Sequence, residues 1–136
     1  MKLIVCLDDK NGMSFYGRRQ SADSALTARI LELVGGQVVY INGYSKKLFG
    51  GEIDNIVADE HFLDVAGERD YCFAEITDVS GILERCDEIV IFRWNRVYPA
   101  DLYFPAHLLA SKWKRKETFE FSGSSHQKIT QEVYYR

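Results

Sequence analysis

The most constraining feature of the sequence is an unbroken run of five apolar residues near its start, Leu3–Leu7. A strand with one face in water alternates apolar and polar residues, whereas an unbroken run is typical of a strand buried on both faces. Tyr71–Ala74 and Glu88–Trp94 are further β-forming runs. Since helices cover both faces of such strands, these runs predict an α/β fold with a mostly parallel sheet.

Segments of helical periodicity separate these strands. Ser21 is a suitable N-cap for the first predicted helix, and Asp23 would lie in its first turn, where the helix dipole favours an anion. Gly35-Gly36 would end this helix. Its buried stripe is formed by Leu26, Ile30, Leu33 and Val34. A second stripe at helical spacing follows Tyr71–Ala74 and is formed by Ile76, Val79, Ile82 and Leu83.

Shorter elements complete the order. Two short strands and two short helical segments are predicted in the middle of the chain: Val38–Ile41, Ile53–Ala58, Ser45–Phe49 and His61–Ala66. Glu117–Phe121 and Thr130–Tyr135 are joined by a polar loop and predict a closing antiparallel hairpin. We therefore expect one domain over residues 1–136, built on a mostly parallel twisted sheet with helices on its faces.

Charge and composition exclude several classes of protein. A formal net charge of −3 and a pI near 5.6 disfavour a nucleic-acid-binding or membrane-surface protein, because both usually carry a basic excess. Cys6, Cys72 and Cys86 fit neither a disulfide framework nor a metal motif. The apolar run at the start is too short for a signal peptide or a membrane span, so a cytoplasmic location is expected.

Metal and nucleophile motifs are weak. The three histidines lack the spacing of a zinc hydrolase, and Asp8-Asp9 is interpreted as a solvated turn rather than a Mg²⁺ site, so no metal is expected. A serine and a histidine share the loop that ends in Ser125-His126. Without an orienting acid, such a pair is weak support for a nucleophile.

The order of elements resembles the dihydrofolate reductase family. The segment Tyr71–Pro105 aligns without a gap with the family pattern of strand, glycine pair, helix, strand and acidic turn, and that turn ends as Asp101-Leu102-Tyr103-Phe104-Pro105. Trp113, two closing strands and Arg136 then follow in family order. The resemblance covers nearly the whole chain and implies a dihydrofolate-reductase-like fold.

The same resemblance implies that NADPH and folate binding have been lost. Ala74-Glu75 replaces the glycine pair that lets the family backbone approach the cofactor pyrophosphate at a helix N-terminus. Ala74 adds a methyl group, and Glu75 would present a carboxylate to the diphosphate. On the folate side, Ile53 stands near the position of the family's arginine clamp, and Phe92 replaces a strand threonine. No bound cofactor is therefore expected.

The central cleft of the fold is the expected ligand site. Its wall would consist of Ile4, Cys6, Phe73 and Phe92, with Arg19, Asp23 and Ser45 as polar contacts. Asp23 is also a weak candidate for the family's catalytic acid, although the resemblance places Leu26 or Thr27 at that position. The alternative interpretation of Asp23 is a partner of the helix dipole.

Three functional hypotheses remain at this point. The cleft could hold a small ligand, or Phe73 and Phe92 could fill it and leave a protein-interaction domain. The third is an NAD(P)H-dependent reductase of a non-folate heterocycle, in which Lys46, Lys47 or Arg19 would form a new phosphate site. Melting with and without NADPH would separate this reductase from the other two, and the exposure of Phe92 would separate a ligand site from a filled cleft.

Overall fold

The structure is a computed structural model and describes residues 1–136. Its strands are β1 (Lys2–Leu7), β2 (Gly12–Phe15), β3 (Arg18–Arg19), β4 (Val39–Ile41), β5 (Ile56–Ala58), β6 (Tyr71–Phe73), β7 (Glu88–Arg93), β8 (Leu102–Tyr103), β9 (Lys114–Phe121) and β10 (Ile129–Tyr135). The helices are α1 (Ser24–Val34), α2 (Gly43–Lys46), α3 (Phe62–Val65) and α4 (Leu109–Lys112). Three 3₁₀ turns lie at Lys47–Phe49, Leu83–Arg85 and Ala106–Leu108.

Seven strands form the main sheet in the order β5-β4-β6-β1-β7-β10-β9. The first five of these are parallel to one another, whereas β10 is antiparallel to both β7 and β9. The predicted mixed α/β fold with a closing antiparallel hairpin is thereby confirmed. The carboxyl ends of β1, β4 and β6 meet at one edge of the sheet, which is where open α/β sheets bind their ligands.

The two faces of the sheet carry two separate apolar layers. Leu3, Val5 and Leu7 of β1 face a layer that includes Phe62 and Trp113. The opposite face carries Ile4, Phe73, Phe92 and Trp94, and α1 covers it with Leu26, Ile30 and Val34. The apolar stripe predicted for this helix is therefore confirmed, with Leu33 only partly buried. None of the helices combines the length and the apolar character needed to cross a membrane.

Two sequence-based expectations about helix boundaries are wrong. The first helix begins at Ser24, and its N-cap is Asp23, whose carboxylate accepts hydrogen bonds from the backbone N–H groups of Ala25 and Leu26. Ser21 lies before the helix and bonds elsewhere. Both residues are competent caps, and the loop Ser124–His126 contacts both, but it bonds the Asp23 carboxylate through two backbone N–H groups and the His126 ring and so holds Asp23 at the N-cap position.

The second correction concerns the helix expected after β6. Only the short 3₁₀ turn Leu83–Arg85 forms there, and the preceding residues are irregular. Asp78 accepts a hydrogen bond from the backbone N–H of Ser80, which is a local turn that competes with a helix. Apolar spacing alone therefore gave a false helix, because Thr77–Gly81 is rich in residues that form helices poorly.

A second, three-stranded sheet in the order β3-β2-β8 was not expected. It joins the chain after β1 to the acidic turn, with Gly12 paired to Tyr103 and Ser14 to Leu102. Gly12 is required because a Cβ there would lie 2.6 Å from the Cβ of Ala100. Asp8 fixes this loop through hydrogen bonds from the backbone N–H groups of Lys10 and Gly12.

Candidate functional site

The site at the sheet edge is built around Glu75, which directly follows Ala74 at the carboxyl end of β6. The Arg19 guanidinium donates two hydrogen bonds to its carboxylate, from Nε to Oε2 and from Nη2 to Oε1, each 2.9 Å long. The Ser45 hydroxyl donates a third, 2.9 Å long, to Oε1. The Glu75 side chain is 6% exposed and that of Arg19 is 22% exposed. This forked geometry is the strong form of a carboxylate–guanidinium pair.

Two local structures hold the partners of Glu75 in place. The guanidinium carbon of Arg19 lies 4.4 Å from the centre of the Tyr44 ring, and the backbone N–H of Arg19 donates to the Tyr44 hydroxyl. Ser45 is fully buried, and its backbone N–H donates to the Asn42 side chain that caps α2. The Arg19–Glu75–Ser45 bridge therefore joins three elements: β3, the end of β6, and α2.

Cys6 lies beside this bridge and is partly buried. Burial and the Glu75 carboxylate raise the pKa of its thiol well above the ordinary value, while the Arg19 guanidinium acts in the opposite direction. A thiol with a raised pKa is a poor nucleophile at neutral pH. The structure thus brings together Cys6, Arg19 and Ser45 from the expected set and adds Glu75 and Tyr44.

The apolar members of the expected cleft wall lie in the core. Ile4, Phe73 and Phe92 are all 0% exposed. Phe73 packs edge-to-face against Phe49, with ring centres 5.7 Å apart, and Phe92 packs edge-to-face against Phe121 at 6.3 Å. Side chains of the protein therefore cover both rings and leave neither one free to contact a ligand.

Asp23 belongs to a different cluster, at the start of α1. Its carboxylate accepts hydrogen bonds from the backbone N–H groups of Ser124 and Ser125 and from their hydroxyls. It also lies 2.9 Å from Nδ1 of His126. A side chain at Gly123 would collide with the Asp23 carboxylate, so the loop requires glycine there. Burial works to raise the pKa of Asp23, but these hydrogen bonds lower it far below its ordinary range.

His126 connects Asp23 to two hydroxyl groups. Its Nε2 lies 2.8 Å from the Tyr98 hydroxyl and 3.2 Å from the Ser21 hydroxyl. The ring stacks on Trp94 with centres 4.6 Å apart. Asp23 therefore supplies the orienting acid that the sequence alone does not show for the loop pair Ser125-His126. Because Asp23 and His126 are 103 residues apart, the only local hint of their contact is Gly123 in the loop before His126.

Two open cavities adjoin the Asp23–His126 pair. One, of about 520 Å³, is lined by His126 together with Trp94, Asn95, Arg96, Ser125, Gln127 and Lys128. The other, of about 430 Å³, lies between α1 and the 3₁₀ turn after α2 and is lined by Ala22, Asp23, Ser24, Thr27, Ala28, Leu31 and Leu48. The first carries two cationic side chains and no carboxylate among its lining residues, which suits an anion.

Comparisons with known proteins agree with the fold. No family model matches the chain, and no curated protein matches it by sequence. Among solved structures, the chain is similar to the dihydrofolate reductase of Enterococcus faecalis, solved in complex with NADP(H) and RAB-propyl. The TM-score is 0.71 at 10% identity, over 99% of this chain and 95% of that chain. At this level of identity the likeness establishes the fold alone. The chain therefore has the dihydrofolate reductase fold.

Proposed function

We propose that the protein is a small-ligand-binding domain of this fold that binds neither NADPH nor folate in the manner of the reductases. The observation that carries the proposal is the buried Glu75 carboxylate, held by Arg19 and Ser45 directly after β6. By the resemblance, Ala74 and Glu75 stand where the reductases have the glycine pair. A dinucleotide diphosphate would meet the Glu75 carboxylate there, whereas the Ala74 methyl group lies in the core.

The surrounding structure supports the same conclusion. A diphosphate is stabilised by open backbone N–H groups at a helix N-terminus, but no α-helix begins between β6 and β7. Arg19, a candidate for a new phosphate site, is already paired with Glu75. On the folate side, Phe73 and Phe92 are buried where we expected the wall of an open ligand cleft. These observations disfavour the reductase hypothesis.

The cavity beside His126 is the place we propose for the ligand. Its volume of about 520 Å³ lies within the range of roughly 300–1,000 Å³ typical of small-molecule pockets. Arg96 and Lys128 supply positive charge, and Asn95, Ser125 and Gln127 supply polar groups. The ligand we propose is therefore a small anion.

A cytoplasmic location is part of this proposal, supported by three cysteines that are all free.

Thermal unfolding with and without millimolar NADPH tests the proposal. A ligand at 100 times its Kd stabilises the folded state by about 2.7 kcal/mol, which would raise the Tm by several degrees. We expect no rise for the wild-type protein. The control is the doubly substituted Ala74→Gly, Glu75→Gly variant under the same conditions. A clear rise for the wild-type protein would contradict the proposal and favour the reductase.

Native mass spectrometry of the purified protein tests the ligand class. We expect an added mass of a small anion, and we expect Arg96→Gln together with Lys128→Gln to remove it. Retention of the added mass by this variant would place the ligand elsewhere. A chain that carries a second polypeptide and no small molecule would favour the protein-interaction domain that the filled cleft also allows.

A further inference from the structure

The cluster at the start of α1 has the connectivity of an acyl-transfer site. Ser21 lies 3.2 Å from Nε2 of His126, and Nδ1 of the same ring lies 2.9 Å from Oδ2 of Asp23. A hydroxyl, an imidazole and an orienting carboxylate in this order are recognised by geometry, whatever the fold and the order along the chain. Ser21 precedes the helix and is half-buried.

Asp23 fixes the tautomer of the imidazole. Its carboxylate is an anion, so Nδ1 of His126 carries the proton and donates it to Oδ2. Nε2 is then an acceptor that faces the two hydroxyls. The Ser124 and Ser125 hydrogen bonds hold the carboxylate from the other side, and stacking on Trp94 fixes the plane of the ring. Asp23 is therefore a positioning residue for a base at Nε2.

Tyr98 competes with Ser21 for this base. Its hydroxyl is the nearer of the two to Nε2, at 2.8 Å, and lies 3.4 Å from the Ser21 hydroxyl. One lone pair on Nε2 accepts one good hydrogen bond at a time. In the resting arrangement Tyr98 holds Nε2, and Ser21 must replace it before its own proton can be removed. Loss of the Tyr98 hydroxyl should therefore help Ser21.

We propose that Ser21, with His126 as general base and Asp23 as its positioning residue, hydrolyses small carboxylic esters that carry a negative charge. The negative charge follows from Arg96 and Lys128, which line the cavity next to His126. The substrate class thus rests on the proposed anion cavity, whereas the chemistry rests on the Ser21, His126 and Asp23 contacts alone. Neither the substrate class nor the chemistry depends on the sheet edge that carries Glu75.

The reaction balances without any cofactor. Ser21 Oγ attacks the ester carbonyl carbon, its proton moves to Nε2 of His126, and a tetrahedral intermediate forms. Collapse breaks the bond to the alcohol, which leaves with the proton from Nε2 and gives an acyl-Ser21 ester. Water then attacks this ester, with Nε2 as base, and releases the carboxylic acid and free Ser21. No oxidant or reductant takes part.

The experiment uses two probes on the full chain. A biotinylated fluorophosphonate is expected to label the peptide that contains Ser21, with fluoride as the leaving group. The second probe is 4-acetoxybenzoate, compared with its neutral methyl ester after each rate is divided by its rate in buffer. We expect catalysis of both and a preference for the anionic ester that Arg96→Gln removes.

Variants separate this site from a purely structural network. Ser21→Ala should lose labelling and return both rates to those in buffer, while His126→Gln should lower the rate about 100-fold, within the range of general-base catalysis. Tyr98→Phe should raise the rate, and Ser111→Ala, at an exposed serine elsewhere, should leave it unchanged. Circular dichroism verifies that each variant is folded.

Three results would overturn the inference. They are a wild-type rate equal to that in buffer, a Ser21→Ala rate equal to that of the wild type, and labelling confined to another residue. Each of these is distinguishable from failure of the proposed function. The NADPH melting experiment and the mass-spectrometric anion experiment do not depend on Ser21, and either can succeed while hydrolysis fails.

Discussion

Arg19 and Glu75 form a two-bond ion pair at the edge of the sheet, directly after β6. Both hydrogen bonds are 2.9 Å long, and only 6% of the Glu75 side chain is exposed. A buried pair of this kind is costly to break on one side, because the partner left behind is a charge without compensation. Replacement of either residue alone should therefore destabilise the fold.

The first prediction is a strong coupling between these two residues. Glu75→Leu alone should lower the free energy of unfolding by about 3 kcal/mol, because Arg19 loses its partner. Adding Arg19→Met should recover much of this loss. Urea unfolding of the two single variants and the double variant measures the coupling. A loss of unfolding free energy in the double variant equal to the sum of the losses in the two single variants would contradict the pairing.

The second prediction concerns the thiol of Cys6. Burial and the Glu75 carboxylate raise its pKa, and burial raises the pKa of Cys72 to about 12 and that of Cys86 to about 11. The folded wild-type protein should therefore react slowly with iodoacetamide at pH 8. Glu75→Gln should accelerate labelling at Cys6 by removing one cause of its raised pKa. Peptide mass mapping measures the rate at each cysteine, and equal Cys6 rates in the two proteins would contradict the contact.

The fold was predictable because it depends on local patterns. The apolar runs of β1 and β7 and the stripe of α1 are visible in the sequence, and they predict a mostly parallel sheet covered by helices. The helix expected after β6 is wrong because the apolar positions between Ile76 and Leu83 enclose residues that form turns. The small sheet that starts at Gly12 was missed because its strands are two to four residues long.

The site was predictable only in part because its contacts are distant in sequence. Glu75 was identified as a departure from the reductases, but its partner Arg19 lies 56 residues away. The Asp23–His126 contact spans 103 residues. Gly123 is the one local signal for that contact, since a glycine among serines indicates a loop that wraps closely around another group.

The third prediction is an acid sensitivity that originates at Asp23. Its pKa in the folded protein is far below the ordinary value of 3.8. A carboxyl group with a lowered folded pKa stabilises the protein fully above its unfolded pKa, and this stabilisation is lost as the pH falls below it. The Tm should therefore decline steeply below about pH 4. Asp23→Asn should have a lower Tm at pH 7 than the wild type, and its Tm should fall less as the pH is lowered. An equal fall of Tm with pH in the two proteins would contradict this role of Asp23.

The fourth prediction tests whether the cleft is filled. Phe92 is 0% exposed and packs against Phe121. Truncating a buried phenylalanine to alanine removes its packing and leaves a cavity, at a cost of about 3–5 kcal/mol. Phe92→Ala should show this loss in urea unfolding. A loss within about 0.5 kcal/mol, the range of surface substitutions, would mean that the ring lies in an open cleft.

A titration of ¹⁵N-labelled protein with NADPH, followed by the amide resonances of Ala74 and Glu75, tests whether a dinucleotide binds at the end of β6. We expect these two resonances, and the Arg19 side-chain Nε–H signal that reports the bridge, to stay in place at millimolar NADPH. Saturable shifts of Ala74 and Glu75, together with loss of the bridged Arg19 signal, would show the dinucleotide seated at the end of β6 and would contradict the account.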